Sequence, residues 1–194
     1  MLYIFDMGGV LLHGVFELKA ILEEQNCSID IQSLYLDDLM ESLSAGSINE
    51  EEYWTQFNQC HGTSVESTRW GKTFAPQVDS NMESFIRELR ASGHRVVCGT
   101  NTFDAHYQVS VKQGDYDCFD QVYASHLMGV AKPHPQFWQS ILEAEGFEPH
   151  DAVFIDDFET NVAAAATLGI KSYVFRDLPH LQEELIQATD SLKF

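Results

Sequence analysis

The chain has 194 residues, 44% of them hydrophobic, which suits one domain of ordinary size, alone or with a smaller insertion, and excludes a disordered chain. Its 11 basic and 30 acidic residues give a formal net charge of -19, a surface that repels phosphate backbones and anionic membranes. Nucleic-acid and membrane partners are therefore not expected, and any site for an anion must be local and well built.

The segment LYIFD (2–6) reads as a buried strand that ends on a carboxylate, Asp6, with the small Gly8 and Gly9 just beyond it. Residues 15–80 then read as helices, FELKAILEEQ, SLYLDDLMESLSA and NEEEYWTQFNQC, with no strand expected among them. Tyr53, Trp54 and Phe57 form the apolar stripe of the last of these. Residues 61–80 are polar with scattered aromatics and lead back toward the strands. MESFIRELRASG places Phe85, Ile86 and Leu89 on one helical stripe, and RVVCG (95–99) is the second strand, followed by Thr100 and Asn101. QVYAS (121–125) is the third, followed by SHLMGVAKP with Lys132. HPQFWQSILEAEG aligns Phe137, Trp138, Ile141 and Leu142 on a helix, AVFID (152–156) is a strand running into Asp156-Asp157, NVAAAATLG favours helix, and SYVFR (172–176) is the last strand. Three of the helical segments finish in Gly93, Gly146 and Gly169, the residue type that stops helices.

Strands that are apolar throughout suit a sheet covered on both faces, and strand–helix alternation implies an α/β fold with a mainly parallel sheet and right-handed crossovers. Residues 15–80 interrupt that rhythm as a helical insertion after the first strand. The cysteines, Cys27, Cys60, Cys98 and Cys118, are widely spaced with no CxxC, a pattern against a zinc site or a disulfide framework. No basic region precedes the short apolar start, and no apolar run is long enough to span a bilayer. A cytoplasmic monomer is the expectation.

In an open parallel sheet, ligands bind beyond the carboxyl ends of the strands. Those ends here carry Asp6, Thr100 and Asn101, Lys132, and Asp156 with Asp157, so a carboxylate, a hydroxyl, an amine and an acid pair are expected along one edge. Each has a plainer reading. Asp6 can be a strand-end turn acid, Asp156-Asp157 the cap of the helix that follows, Lys132 a solvated loop lysine, and Thr100-Asn101 ordinary turn chemistry.

Taken together, FDMGGV, CGTN, GVAKP and FIDDFETN resemble the four motifs of the haloacid dehalogenase (HAD) superfamily, in the family's order and spacing. The opening MLYIFD and the AEGFEPHDAVFIDD run are similar to the subgroup that contains bacterial α-D-glucose-1-phosphate phosphatase and the N-terminal domain of soluble epoxide hydrolase. The resemblance implies a Rossmannoid core with a five-stranded sheet over residues 1–14 and 81–194, and a helical cap over 15–80. It also implies a Mg2+-dependent phosphatase of small phosphorylated metabolites, sugar phosphates such as glucose 1-phosphate being favoured.

Under that resemblance Asp6 attacks phosphorus and forms an aspartyl phosphate. Mg2+ neutralises the facing charges, held by Asp6, Asp157 and the carbonyl of Gly8, with Asp156 supporting from behind. Thr100 and the Asn101 amide bind phosphoryl oxygens, and Lys132 adds a positive charge there while screening Asp6. One position departs from the wider family: Gly8 stands where many of its phosphatases carry a second Asp as general acid and base. Among the histidines near motifs, His13, His106, His126 and His134, His13 follows the nucleophile most closely and is one replacement, a surface or packing role being the other. Two further readings are a metal-free 2-haloacid dehalogenase and a catalytically weakened domain that binds a phosphorylated ligand or a partner.

Overall fold

The computed structural model describes residues 1–15, 17–25, 27, 34 and 37–190. The five expected strands form one parallel sheet: β1 (Leu2–Phe5), β4 (Arg95–Thr100), β5 (Gln121–Ala124), β6 (Ala152–Asp156) and β7 (Lys171–Val174), in the order β5-β4-β1-β6-β7. Ile4 of the central strand lies opposite Val97 on one side and Phe154 on the other. From β1 the chain builds outward through β4 and β5, then returns to fill the other side with β6 and β7. The carboxyl end of β1 is thus the point where strand order reverses, the place such sheets bind ligands.

Alternation along the strands divides the core between the two faces. Phe5, Val96, Cys98, Val153 and Ile155 pack against Met82 and Ile86 of α5 (Ser80–Ala91) and Leu181 of α10 (Leu178–Asp190). Leu2, Ile4, Val97 and Phe154 pack against the Phe137, Trp138, Ile141 and Leu142 stripe of α8 (Gln136–Glu145) and against Val162 and Ala165 of α9 (Glu159–Thr167). Each large side chain buried in this way stabilises the fold by about 1.5–3 kcal/mol.

The expected helices before residue 80 form α1 (Glu17–Glu24), α2 (Asp38–Ser44) and α3 (Glu50–His61), joined by a short α4 (Arg69–Thr73). Ser33, Tyr35 and Leu36 of the expected second helix lie outside the described residues. Asn49 and Glu52 form a reciprocal capping box that sets the start of α3. Tyr53, Trp54 and Phe57 are buried as its apolar stripe, in a third cluster with Leu18, Ile21, Leu22 and Trp70. This cluster reaches the central sheet's loops at Phe103, whose ring lies 4.4 Å from that of Trp70. Nearby, the backbone N–H of Ala105, in α6 (Asp104–Gln113), donates to Glu50 Oε1 at 2.7 Å.

One element inside residues 15–80 runs against the expectation of no strand there, and it pairs with a second short strand just before them. β2 (Leu12–His13) and β3 (Gln77–Val78) pair antiparallel, Leu12 opposite Val78, and so bring the two ends of the helical segment together. Two residues per strand are too few to show a period of two in sequence. A single turn, α7 (Ser125–Met128), follows β5. No described helix is long and apolar enough to cross a membrane.

Candidate active site

Asp6 stands one residue past β1 and is still tied to the sheet, its N–H donating to the Ile155 carbonyl at 2.9 Å. The chain then turns tightly. Leu11 and Leu12 donate to the Met7 carbonyl, and Gly9 donates to the Leu12 carbonyl. Among the described residues, these turn bonds leave the Gly8 carbonyl unused.

The two glycines differ in kind. Gly9 has φ 73°, and a Cβ built there would collide with Asp157 Oδ2. Glycine is required both by the left-handed backbone and by the Asp157 carboxylate resting on it. Gly8 is not left-handed, and its Cβ would meet only a Val15 methyl at 3.3 Å. The backbone therefore does not demand glycine at position 8. Gly9→Ala is expected to destabilise by more than about 1 kcal/mol, the cost of a left-handed L-residue, and Gly8→Ala by less. Urea denaturation of the two variants checks this, and equal losses would contradict it.

Lys132 is not a solvated loop lysine. Its side chain is 1% exposed, and its ammonium donates to Asp6 Oδ1 at 2.7 Å, Asp156 Oδ2 at 2.7 Å and the Gly99 carbonyl at 3.0 Å. All three N–H donors have acceptors. The geometry thus supports screening of Asp6 by the Lys132 charge. Asn101 holds the lysine's backbone at two points: its Nδ2 donates to the Lys132 carbonyl and its Oδ1 accepts from the Lys132 N–H, both at 2.9 Å. The Asn101 side chain is thus a clasp for Lys132. Thr100, buried at the end of β4, lines the same cavity as Asp6.

Sequence reasoning missed Ser125. Fully buried, its Oγ accepts from the Thr102 N–H at 2.9 Å and donates to the Thr102 carbonyl at 3.1 Å, joining the loops after β4 and β5. The only signal was its place at the start of SHLMGVAKP.

The acid pair divides into two environments. Asp156 is completely buried and its hydrogen bonds are full, with Lys132, the Phe158 N–H at 2.8 Å and the Asn161 amide at 3.1 Å as donors. Asp157 is half-buried, and its Oδ1 has no hydrogen-bond partner among the described residues. Asp6, Asp156 and Asp157 each offer an oxygen, all within 4.8 Å of one another. Burial pushes the Asp157 carboxyl up to about 7, helped by the Asp6 and Asp156 charges. Burial also pushes Asp6 upward, against the pull of Lys132. For the Lys132 ammonium, burial works downward, but the charges of Asp156 and Asp6 outweigh it and hold the group above its usual range. Three carboxylates thus share one ammonium. A hard divalent cation fits this all-oxygen set, and the unpartnered Asp157 oxygen is where it is wanted.

Above this floor is a cavity of about 370 Å³, walled by Leu12, Val15, Leu18, Met40, Trp70 and Phe74 among others. Tyr53, Trp54 and Phe57 are not in the described lining. Neither is His13, which is exposed on β2 and pairs with Asp79 at 3.4 Å. The histidine that does line the cavity is His106, its ring stacked on Phe74 with centroids 3.8 Å apart.

Comparisons with known proteins find phosphatase and hydrolase relatives. The chain is 30% identical over 172 residues to the sesquiterpene phosphatase astK of Aspergillus oryzae, covering 86% of this chain and 85% of that protein. It is 23% identical over 184 residues to the D-ribitol-5-phosphate phosphatase of Bacteroides thetaiotaomicron, covering 88% and 89%. A HAD family enzyme of Bacteroides thetaiotaomicron, solved in complex with magnesium and inorganic phosphate, superposes with a TM-score of 0.72 at 25% identity, covering 93% of this chain and 98% of that one. The family model for haloacid dehalogenase-like hydrolases matches residues 1–169, and the chain belongs to that family.

Proposed function

We propose that this protein is a Mg2+-dependent phosphatase that hydrolyses small phosphate monoesters through a covalent intermediate on Asp6. The observation that carries the reading is Asp6 at the cavity floor, held by Lys132 and facing Asp157. With Oδ1 engaged by Lys132, Oδ2 attacks phosphorus; the P–O bond to the leaving group breaks as the aspartyl phosphate forms. The leaving oxygen takes its proton from water, since Gly8 brings no carboxyl group. A second water then attacks phosphorus, releases inorganic phosphate and restores the Asp6 carboxylate.

Asp6, Asp157 and the Gly8 carbonyl would hold Mg2+, with Asp156 fixing Lys132 and the start of α9 behind them. When bound, the ion offsets the charge of carboxylate and phosphate and polarises the phosphoryl group. Thr100 adds a hydroxyl beside the phosphoryl oxygens. Residues 15–80 act as a cap that closes the cavity and excludes water, with the β2–β3 pair as its stem.

Turnover of an aryl phosphate with Mg2+, abolished by EDTA, tests the reading. Halide release without metal would favour the dehalogenase chemistry, and tight phosphate binding without turnover a binding domain. The acid cluster speaks against the former, because it would repel a haloacid carboxylate. Asp157→Asn is expected to weaken Mg2+ binding at least about tenfold by calorimetry while the fold persists. Asp156→Asn should chiefly lower thermal stability, because it disturbs the Lys132, Phe158 and Asn161 bonds. Equal Mg2+ affinities in the wild type and Asp157→Asn would remove Asp157 from the metal site.

The leaving group is a separate matter. The resemblance read from sequence favours a sugar 1-phosphate. The two phosphatase relatives are named for a polyol phosphate and for sesquiterpene chemistry, so kinship supports more than one answer.

A further inference from the structure

We infer that the cavity takes a phosphate monoester whose leaving group is an apolar hydrocarbon chain rather than a sugar. The inference rests on the phosphatase reading and deepens it at the same site. Its basis is the wall of the cavity. Leu18, Met40, Trp70 and Phe74 come from the helical segment, and Leu12 and Val15 from the chain just after Asp6. Phe158, an aromatic side chain 39% exposed, adds apolar surface to the lining.

A sugar needs hydrogen-bonding groups aimed at its hydroxyls, because each hydroxyl stripped of water without a partner costs free energy. Several polar side chains of the lining are already engaged. Asp37 caps α2 through the Met40 N–H at 2.7 Å, Asn101 clasps Lys132, and Asn161 holds Asp156. His106 is stacked on Phe74 and tilted against Phe103, at 3.8 and 4.1 Å between centroids. A volume of about 370 Å³ admits either a sugar or a chain of several carbons, so the lining and not the size separates them.

Charge narrows the ligand further. Lys132 is the only lysine or arginine in the described lining, and Asp37 and Glu41 stand in the wall. A second phosphate or a carboxylate on the leaving group would meet acids and no arginine. The ligand is thus a monophosphate with an uncharged tail.

The position of Gly8 agrees. A side chain there would run toward Val15, one of the wall residues, and its absence keeps that space open. The site exchanges a built-in acid for room beside the reacting oxygen.

The test uses the full chain with Mg2+ and a series of n-alkyl phosphates from methyl to octyl. Their alkoxide leaving groups are nearly equal in basicity, so any trend in kcat/KM reads burial of the chain. The expected trend is about three- to fourfold per methylene until the cavity is full, from the usual 0.8 kcal/mol per buried CH₂. Octyl phosphate is expected to exceed glucose 1-phosphate despite its poorer leaving group. Calorimetric affinities of methyl- to octylphosphonate, which need no bond cleavage, should climb likewise, and Phe158→Ser should flatten both slopes.

An aryl phosphate serves as the reference. If it is turned over while the alkyl and phosphonate series are flat, the apolar assignment is overturned and the phosphatase reading stands. If it is not turned over at all with Mg2+, the phosphatase reading fails and takes this inference with it.

Discussion

Asp6→Asn is expected to lower turnover of an aryl phosphate by about 10⁵-fold or more, the scale seen when a covalent nucleophile is removed. An amide does not attack phosphorus, and no other described carboxylate stands where Asp6 does: Asp156 is saturated by Lys132, Phe158 and Asn161. The fold should persist, because Lys132 keeps Asp156 and the Gly99 carbonyl as acceptors. Removing one of three crowded carboxylates also relieves repulsion in the metal-free protein. Thermal stability should therefore stay within about 1 kcal/mol of wild type. Acid quenching during turnover should trap phosphate on the wild-type chain and none on the variant. A folded, pure Asp6→Asn protein with substantial turnover would end the nucleophile assignment.

The sites that the sequence made legible are those where a local pattern ends on a chemical group. Asp6, Thr100 and Asp156 each close an apolar run that reads as a buried strand, and parallel strands put such endings on one edge. Lys132 was legible as a residue but not in its bonds, since only the folded sheet brings Gly99, Asp6 and Asp156 around one ammonium. The clasp of the Asn101 side chain on Lys132 was illegible because its backbone partner lies 31 residues away. His13, near Asp6 in the chain, takes the surface role of its two readings, since two residues of β2 turn it outward to Asp79. The cavity wall was illegible for a deeper reason. Leu18, Met40 and Trp70 sit on different helices and share one buried cluster, and only tertiary placement turns part of that cluster toward the cavity.

Lys132→Met should have the opposite signature from Asp6→Asn: loss of fold stability as well as activity. The methionine fills similar volume and keeps the contacts to Phe137 and Phe154, whose ring centroids lie 5.8 and 5.5 Å from the ammonium. What it removes is the single cation among three carboxylates. Stripping one partner from a buried ion pair typically costs about 3–5 kcal/mol, because the charge left behind is neither solvated nor matched. For a domain of this size that is a fall of about 6–20 °C in melting temperature. Mg2+ should recover part of the loss, since an ion that binds the native state alone stabilises it by mass action. Lys132→Arg should not restore wild-type behaviour, because a planar guanidinium cannot place donors on Asp6, Asp156 and Gly99 as a compact ammonium does. The decisive measurement is the double variant Lys132→Met with Asp6→Asn, melted without metal. If the lysine acts through charge, removing the facing carboxylate makes the double variant more stable than Lys132→Met alone. If it acts only by filling space, the two losses add, and the electrostatic account of the site is wrong.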